Sequence, residues 1–546
     1  MNDSAHSSTS LKKNTFTFFL SLITIFINPS CSKIKNTVQS QISSKAPNVL
    51  LIVVDDLGYH DLSHTGSNYY ETPNIDNLAK NSMEFTQAYS SSPVCSPARA
   101  SIMTGQFPSR HGITDWIGAF TGEAWRKQGR QNKMLPAANK KGLSTNHISL
   151  AKALKQNGYS TFIAGKWHLG GEGSTPEEHG FDINVGAWDV GSPRGGYYDP
   201  YENPKLGNRK IGESLTMRLA DETVHFFKKH TSENSEKPFF AFLSFYAVHS
   251  PLQTTNEKWK KYRNKADSIG IAETGFKMGA YLPVRQHQDH PIYGGLVETM
   301  DEALAYVLNG LKEQHLEENT IIIFTSDNGG VSSGDHFSTS NLPLRGGKGS
   351  TFEGGIRVPF FVYVPGLTKA GSTSNTPISM VDIYPSLLEL SGNELLPEQH
   401  KDGESFVALL HGKPIPERAL IWHYPHYSNQ DGRPSSAIRL GEWKLIYDYE
   451  TQKKELYHLK NDGAEFHNVA STFPEKADEL YAQLMNHLTD TGALFPQIDP
   501  QYNHEKELEY LEKVRTKRVM NLEAERLRFL SPDFNPGNKW WESDIN

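Results

Sequence analysis

The stretch NVLLIVVDDLG, Asn48 to Gly58, runs aliphatic side chains without a break from Val49 to Val54 and then turns abruptly to Asp55, Asp56 and Gly58. A strand with one wet face alternates apolar and polar residues, so a run this uniform reads as a strand covered on both sides. The pattern returns in STFIAGKWHLGG from Ser160, PFFAFLSFYAVHSP from Pro238, NTIIIFTSDNGG from Asn319 and VPFFVYVPG from Val358. Helical periods lie between these runs. ISLAKALKQNG ends at Gly158, and YGGLVETMDEALAYVLNGLKEQH spaces Leu296, Met300, Leu304, Val307 and Leu311 along one face. Alternating buried strands and amphipathic helices predict an α/β fold, a mostly parallel sheet flanked by helices. Ligands of such sheets bind beyond the carboxyl ends of the strands. Asp55, Asp56, Lys166, His168, His249, Asp327 and Asn328 all fall there.

The chain has 546 residues, more than one hydrophobic core usually organises, which predicts a large domain and a smaller one. A hydrophobic fraction of 37% and a net charge of -7 describe an ordinary globular protein and exclude a nucleic-acid binder. An anionic substrate would need positive charge supplied locally. Residues 1–30 read as an export signal, with Lys12 and Lys13 ahead of FTFFLSLITIFI. NPSC then puts Cys31 where a bacterial lipoprotein signal would be cut and lipidated, although Asn28 and Pro29 depart from the usual residues. The expectation is an exported protein, periplasmic or attached to the outer membrane as a lipoprotein, with plain secretion as the alternative. Residues 31–46 read as a tether and 47–415 as the main domain. From 416 to 500, ALIWHY, SAIRLGEWKLIYDY, KKELYHL and a helix at EKADELYAQLMNHLTD predict a smaller α+β domain with an antiparallel sheet. Residues 501–546 form a tail whose charged helix, Glu505 to Leu530, has a thin apolar stripe expected to pack on the body.

Asp55, Asp56, Asp327 and Asn328 offer hard oxygen ligands from two strand ends, which suits Ca²⁺ or Mg²⁺ rather than zinc. In SSPVCSPARASIMTG, Cys95 stands two residues before Pro97 and four before Arg99. The small residues up to Gly105 allow a helix that starts near Cys95, presenting free N–H groups to an anion beside the permanent charge of Arg99. With Cys31 lipidated, Cys95 has no disulfide partner in the chain. It is either an inert buried thiol or a chemically committed one.

CSPARASIMTG resembles the signature of the type I sulfatases, members of the alkaline phosphatase superfamily. NVLLIVVDDLGY, TPNIDNLA, TGQFPSRHG, GYSTFIAGKWHLG, AVHSP, IIIFTSDNGG and RGGKGSTFEGGIRVPFFVYVPG follow in that family's order, so the resemblance spans roughly residues 47–490. It implies that Cys95 is oxidised to formylglycine (3-oxoalanine) by a formylglycine-generating or anaerobic sulfatase-maturating enzyme. Asp55, Asp56, Asp327, Asn328 and the modified residue 95 would then bind one divalent ion, most often calcium. The aldehyde hydrate would be the nucleophile, oriented by Arg99, with His168 as base and His249 protonating the leaving oxygen. Lys166 and Lys348 would neutralise sulfate oxygens, and the substrate would be a sulfated carbohydrate. Two other readings stay open: a phosphodiesterase or phosphonate monoester hydrolase with the same oxidised cysteine, and a glycan-binding surface lipoprotein in which Cys95 is never oxidised. GKWHLG with RGGKG favours sulfate. Contacts to the sugar are expected from residues 186–208 and from WHYPHYSNQDGRPSS, while His111 is left as structural or as a support behind the site residues.

Overall fold

The computed structural model of the protein describes residues 45–234 and 236–535. The export signal, Cys31 and most of the tether lie outside the described residues, as does the end of the tail. Among the described residues no helix is long and apolar enough to cross a membrane.

Each uniform apolar run is a strand. β1 (Asn48–Val54), β2 (Met83–Phe85), β3 (Ser160–Gly165), β4 (Ile183–Val185), β5 (Phe239–Ser244), β6 (Thr320–Ser326), β7 (Phe360–Tyr363) and β8 (Ser372–Ser374) form one sheet in the order β8-β2-β7-β6-β1-β5-β3-β4. From β6 through β4 the neighbours run parallel, while β7 is antiparallel to β6 and to β2. Burial on both faces explains the uniform composition. Leu50, Ile52, Val54, Ala241 and Leu243 point to one side, among helices α1 (Pro73–Asn81), α4 (Leu215–Asn234), α5 (Asn256–Ile269) and α6 (Pro291–Glu313). Val49, Leu51, Val53, Phe240 and Phe242 point to the other, among α2 (Cys95–Thr104), α3 (Leu150–Gln156) and α7 (Ile383–Leu390). Gly105 ends α2 at φ 65°, a left-handed backbone that glycine accepts without a Cβ penalty.

The C-terminal part is the expected antiparallel sheet with a helix. β9 (Leu420–Tyr424), β10 (Ser435–Leu440), β11 (Trp443–Asp448) and β12 (Lys453–His458) pair in sequence order, and α8 (Pro474–Asp490) buries Leu480, Leu484 and Leu488 against them. Tyr89, Phe107, Ile356 and Val381 of the large part share this core. Buried charges reinforce the junction. Lys444 Nζ lies 3.0 Å from Glu353 Oε1 and 2.7 Å from Glu465 Oε1, and the Tyr89 hydroxyl donates to Glu353 Oε2 at 2.8 Å. All three charged side chains are buried. Removing the shared cation strands two carboxylates, so Lys444→Met should cost about 3–5 kcal/mol in urea unfolding. Adding Glu353→Gln and Glu465→Gln should recover much of that loss; an unchanged midpoint for Lys444→Met would refute the assignment.

The tail packs on the body, but not as one α-helix. α9 (His504–Lys513) and α10 (Val519–Leu530) are joined through a π-helical stretch at Val514–Arg518. Polar side chains make much of the attachment. Arg526 is buried and donates to Asp289 at 2.6 Å, and Glu523 accepts from the backbone N–H groups of Gly275 and Phe276.

Candidate active site

The carboxyl ends of β1 and β6 lie side by side because the strands pair in parallel with Val54 opposite Ser326. That register alone brings Asp55 and Asp56 to Asp327 and Asn328. The N-terminus of α2 meets them from the side. Cys95 Sγ stands 3.4 Å from Asp55 Oδ1 and 3.9 Å from Asp56 Oδ1. One ligand atom from each of Asp55, Asp56, Cys95 and Asp327 lies within 4.8 Å of the others, all four residues being buried.

Cations surround this cluster. Arg99 Nε donates to Asp327 Oδ2 at 2.7 Å, and its Nη1 donates to the Lys166 carbonyl and to Ser244 Oγ. Lys166 Nζ, fully buried, lies 2.6 Å from Asp55 Oδ2, and Lys348 Nζ lies 2.8 Å from Asp56 Oδ2. Burial pushes the Asp55 carboxyl up to about 8, helped by Asp327 and Asp56 and opposed by Lys166. For Asp56, burial acts the same way but is outweighed by Lys348, His249 and Lys166, which hold it below the usual carboxylate range. Burial likewise raises the Cys95 thiol well above its ordinary value; Asp55 and Asp327 add to the rise and the two lysines oppose it. A thiol held protonated among carboxylates is not a ready nucleophile as it stands.

Two orphaned atoms fit a bound cation and an oxygen on residue 95. Asn328 Oδ1 and Arg99 Nη2 are buried with no hydrogen-bond partner, although Asn328 Nδ2 donates to Asp56 Oδ1. The donors are oxygens, as Ca²⁺ or Mg²⁺ requires.

The histidines take defined tautomers. His168 sits at φ 56°, its Nε2 donates to the Ile117 carbonyl at 3.1 Å, and its Nδ1 is buried without a partner. A Cβ on Gly191 would come within 2.2 Å of that ring, so glycine is required there. His249 donates from Nδ1 to the Ser250 carbonyl, leaving Nε2 3.7 Å from Asp56 Oδ2. His111, buried beneath α2, contacts Ser101 Oγ at 3.2 Å and accepts from the Ile113 N–H, a structural placement.

Over residues 47–393 the sequence matches the family described as Sulfatase. The chain belongs to the sulfatase family. Residues 347–493 also match the C-terminal region of N-sulphoglucosamine sulphohydrolase. Among relatives of this sulfatase is one from Formosa agariphila described as a sulfatase, 30% identical, with 81% of this chain and 88% of the relative covered. The human N-acetylgalactosamine-6-sulfatase is also 30% identical, with 82% of this chain and 81% of that protein covered. A crystal structure of Ps i-CgsB in complex with k-i-k-neocarrahexaose superposes with TM-score 0.66 at 26% identity, covering 88% of this chain and all of the other. The sulfatase fold and hydrolase class expected from the sequence are borne out.

A cleft of about 780 Å³ opens from Cys95. His168, His249 and Lys348 line it; Lys166 does not, being tucked behind Asp55. Asp189, Ser192 and Arg194 from the loop after β4, and Asn429 and Gln430 from the loop after β9, complete walls foreseen only as loops. Trp116, Phe120, Lys141 and Asp335 also line the cleft and were not anticipated, since no motif of chemical residues marks them.

Behind Trp116, Asp115 is buried, accepting from the Tyr424 hydroxyl at 3.1 Å, with its Oδ2 3.8 Å from His426 Nδ1. Burial pushes this carboxyl up to about 7, against backbone and tyrosine hydrogen bonds that lower it. The folded protein therefore keeps a proton that the unfolded chain loses near pH 4, so stability falls as pH rises toward 7 and then levels off. Asp115→Asn lacks that slope and can donate to His426 Nδ1, which has no partner. Between pH 4.5 and 7.5, urea unfolding should favour the variant progressively, by a change on the order of 2–4 kcal/mol in the difference. Parallel profiles would contradict it.

Proposed function

We propose that this sulfatase is an exported hydrolase of sulfate esters on a carbohydrate, using residue 95 after its oxidation to formylglycine and a divalent cation, most simply Ca²⁺. The carrying observation is the meeting of Cys95 with Asp55, Asp56 and Asp327 within 4.8 Å at the head of a cleft. A thiol held protonated has no use there as it stands. Its conversion by a maturation enzyme gives a role to the position and a hydrogen-bond acceptor to Arg99 Nη2, which otherwise has only Asp55 Oδ1 at 4.0 Å.

Asp55, Asp56, Asp327 and Asn328 would hold the cation, which supplies Lewis-acid stabilisation of oxygen charge when bound. The formylglycine hydrate supplies an oxygen nucleophile that can later release sulfate. The remaining work belongs to side chains in place. Lys348 faces the cleft and offers fixed positive charge to the sulfate oxygens; Lys166 acts through Asp55. With Nε2–H held by the Ile117 carbonyl, the buried Nδ1 of His168 keeps the bare lone pair of a base. Burial and Lys166 keep it neutral, well below the imidazole range. Burial and Lys348 also hold His249 down, to about 4, against the pull of Asp56. A sulfate ester bound between His249 and Lys348 reverses that field and favours the protonated Nε2 that a leaving alcohol needs.

Carbohydrate is favoured by the cleft's composition, with Trp116 and Phe120 as apolar surfaces for a pyranose face and Asn429 and Gln430 as amides for its hydroxyls, by a relative named for an amino-sugar sulfate and by a structural neighbour solved with neocarrahexaose. Export and the lipid on Cys31 rest on the N-terminal signal. The matured enzyme should turn over aryl sulfate faster than aryl phosphodiester and release sulfate from members of a sulfated oligosaccharide panel. Faster diester cleavage would transfer the site to phosphodiester chemistry. An unmodified thiol at residue 95 in the native host would support a glycan binder instead.

A further inference from the structure

Asp335 is an anomaly in a site for anions. It lies on the loop after β6, where Asp335, His336 and Phe337 adopt successive positive φ values of 36°, 73° and 49°. Non-glycine residues rarely occupy this region, and such a run persists only where its surroundings hold it. Here they do. The Phe337 N–H donates to the Gly334 carbonyl at 2.7 Å, Arg285 Nε donates to the Phe337 carbonyl at 2.6 Å, and Ser333 Oγ donates to the Pro283 carbonyl at 2.7 Å. A Cβ on Gly334 would lie 2.1 Å from the Asn429 carbonyl oxygen, so the loop is pressed against the C-terminal part.

The result is a carboxylate fixed in the cleft wall. Asp335 Oδ2 accepts from Gln430 Nε2 and lies 3.9 Å from Lys348 Nζ, while among the described residues no donor reaches Oδ1. Its side chain keeps 32% of its surface open, toward the cleft that also holds Cys95 and His249. An ionised carboxylate only accepts hydrogen bonds, so a free oxygen here calls for a donor on the ligand. It also repels any second anion brought to the same place. Lys348 Nζ bridges Asp56 at 2.8 Å and Asp335 at 3.9 Å, and His249 Nε2 lies 3.7 Å from the same Asp56 carboxylate, so Asp335 shares a cleft wall with the groups assigned to the sulfate and the departing alcohol.

We propose that Asp335 is a specificity residue that accepts a hydrogen bond from a hydroxyl near the sulfate ester of the leaving sugar and rejects sugars bearing a second sulfate or carboxylate there. The proposal rests on the carbohydrate-sulfatase reading above. Gln430, donated by the C-terminal part, sets the carboxylate's rotation, so the two parts of the chain read the sugar together.

The test compares matured wild type, Asp335→Asn and Asp335→Ala on 4-nitrophenyl sulfate, which has no hydroxyl, and on the 4-sulfate, 6-sulfate and 4,6-disulfate of galactose and N-acetylgalactosamine. For the monosulfate that wild type cleaves best, the ratio of its kcat/KM to that for 4-nitrophenyl sulfate should fall about 10–100-fold in Asp335→Ala, as loss of a charge-assisted hydrogen bond implies. In Asp335→Asn the preference for monosulfate over disulfate should shrink about tenfold or more. Turnover of 4-nitrophenyl sulfate reports an assembled site in each variant. Equal losses on both probes would overturn the proposal in favour of electrostatic support for Lys348, and an unchanged sugar ratio would also overturn it. If wild type cleaves 4-nitrophenyl sulfate but none of the sugars, the carbohydrate reading fails first and takes this one with it.

Discussion

Cys95→Ala abolishes sulfate-ester turnover, with kcat/KM falling by at least about 10⁴-fold, the scale on which loss of a covalent nucleophile is felt. The chain still folds, because the deleted sulfur leaves only a small gap at the start of α2 and the cost should be about 1 kcal/mol. The sharper form of the experiment uses no mutation. Wild type made in a host without a maturation enzyme carries the thiol, which burial and the neighbouring carboxylates keep protonated, and it should be as inert as the alanine variant. Co-expression with a maturation enzyme should restore activity together with a residue-95 peptide in which oxygen has replaced sulfur and two hydrogens are gone. Full activity in the unmodified protein, or in Cys95→Ala, would remove residue 95 from the chemistry.

Asp327→Asn should lower kcat/KM by at least about 10³-fold. Loss of a group that merely orients a metal ligand usually costs 10–100-fold, and Asp327 is both a candidate ligand and the partner of Arg99 at 2.7 Å. The substitution keeps the shape and removes the charge, so the fold should survive while the cation site weakens. A readout independent of activity is available. Ca²⁺ at about 100 times its dissociation constant stabilises a protein that binds it only when folded by about 2.7 kcal/mol. Wild type stripped with a chelator should recover that increment in thermal unfolding, and Asp327→Asn should not. An equal Ca²⁺ response in both proteins would mean that Asp327 is no ligand.

The tail shows where reading the chain stops. Its charged helix was foreseen, yet the π-helical stretch at Val514–Arg518 and the burial of Arg526 against Asp289 were not. A salt bridge between residues 237 positions apart leaves no periodicity to detect. The same limit hid Asp335 and Trp116, single residues whose importance comes from the space they face.

Sheet, strand ends and cysteine helix were legible in the chain itself, because burial on two faces forces uniform apolar runs and because ligands of a parallel sheet gather where those runs stop. That rule groups Asp55, Asp56, Asp327, Asn328, His168 and His249 at one rim from the sequence alone. Tertiary structure alone decided the rest: that Val54 stands opposite Ser326, that Lys166 turns inward to Asp55 while Lys348 faces the cleft, and that a strained loop holds Asp335 beside Gln430. Those outcomes depend on distances between segments far apart in the chain, and side-chain direction across such gaps is set by packing, which no local pattern encodes.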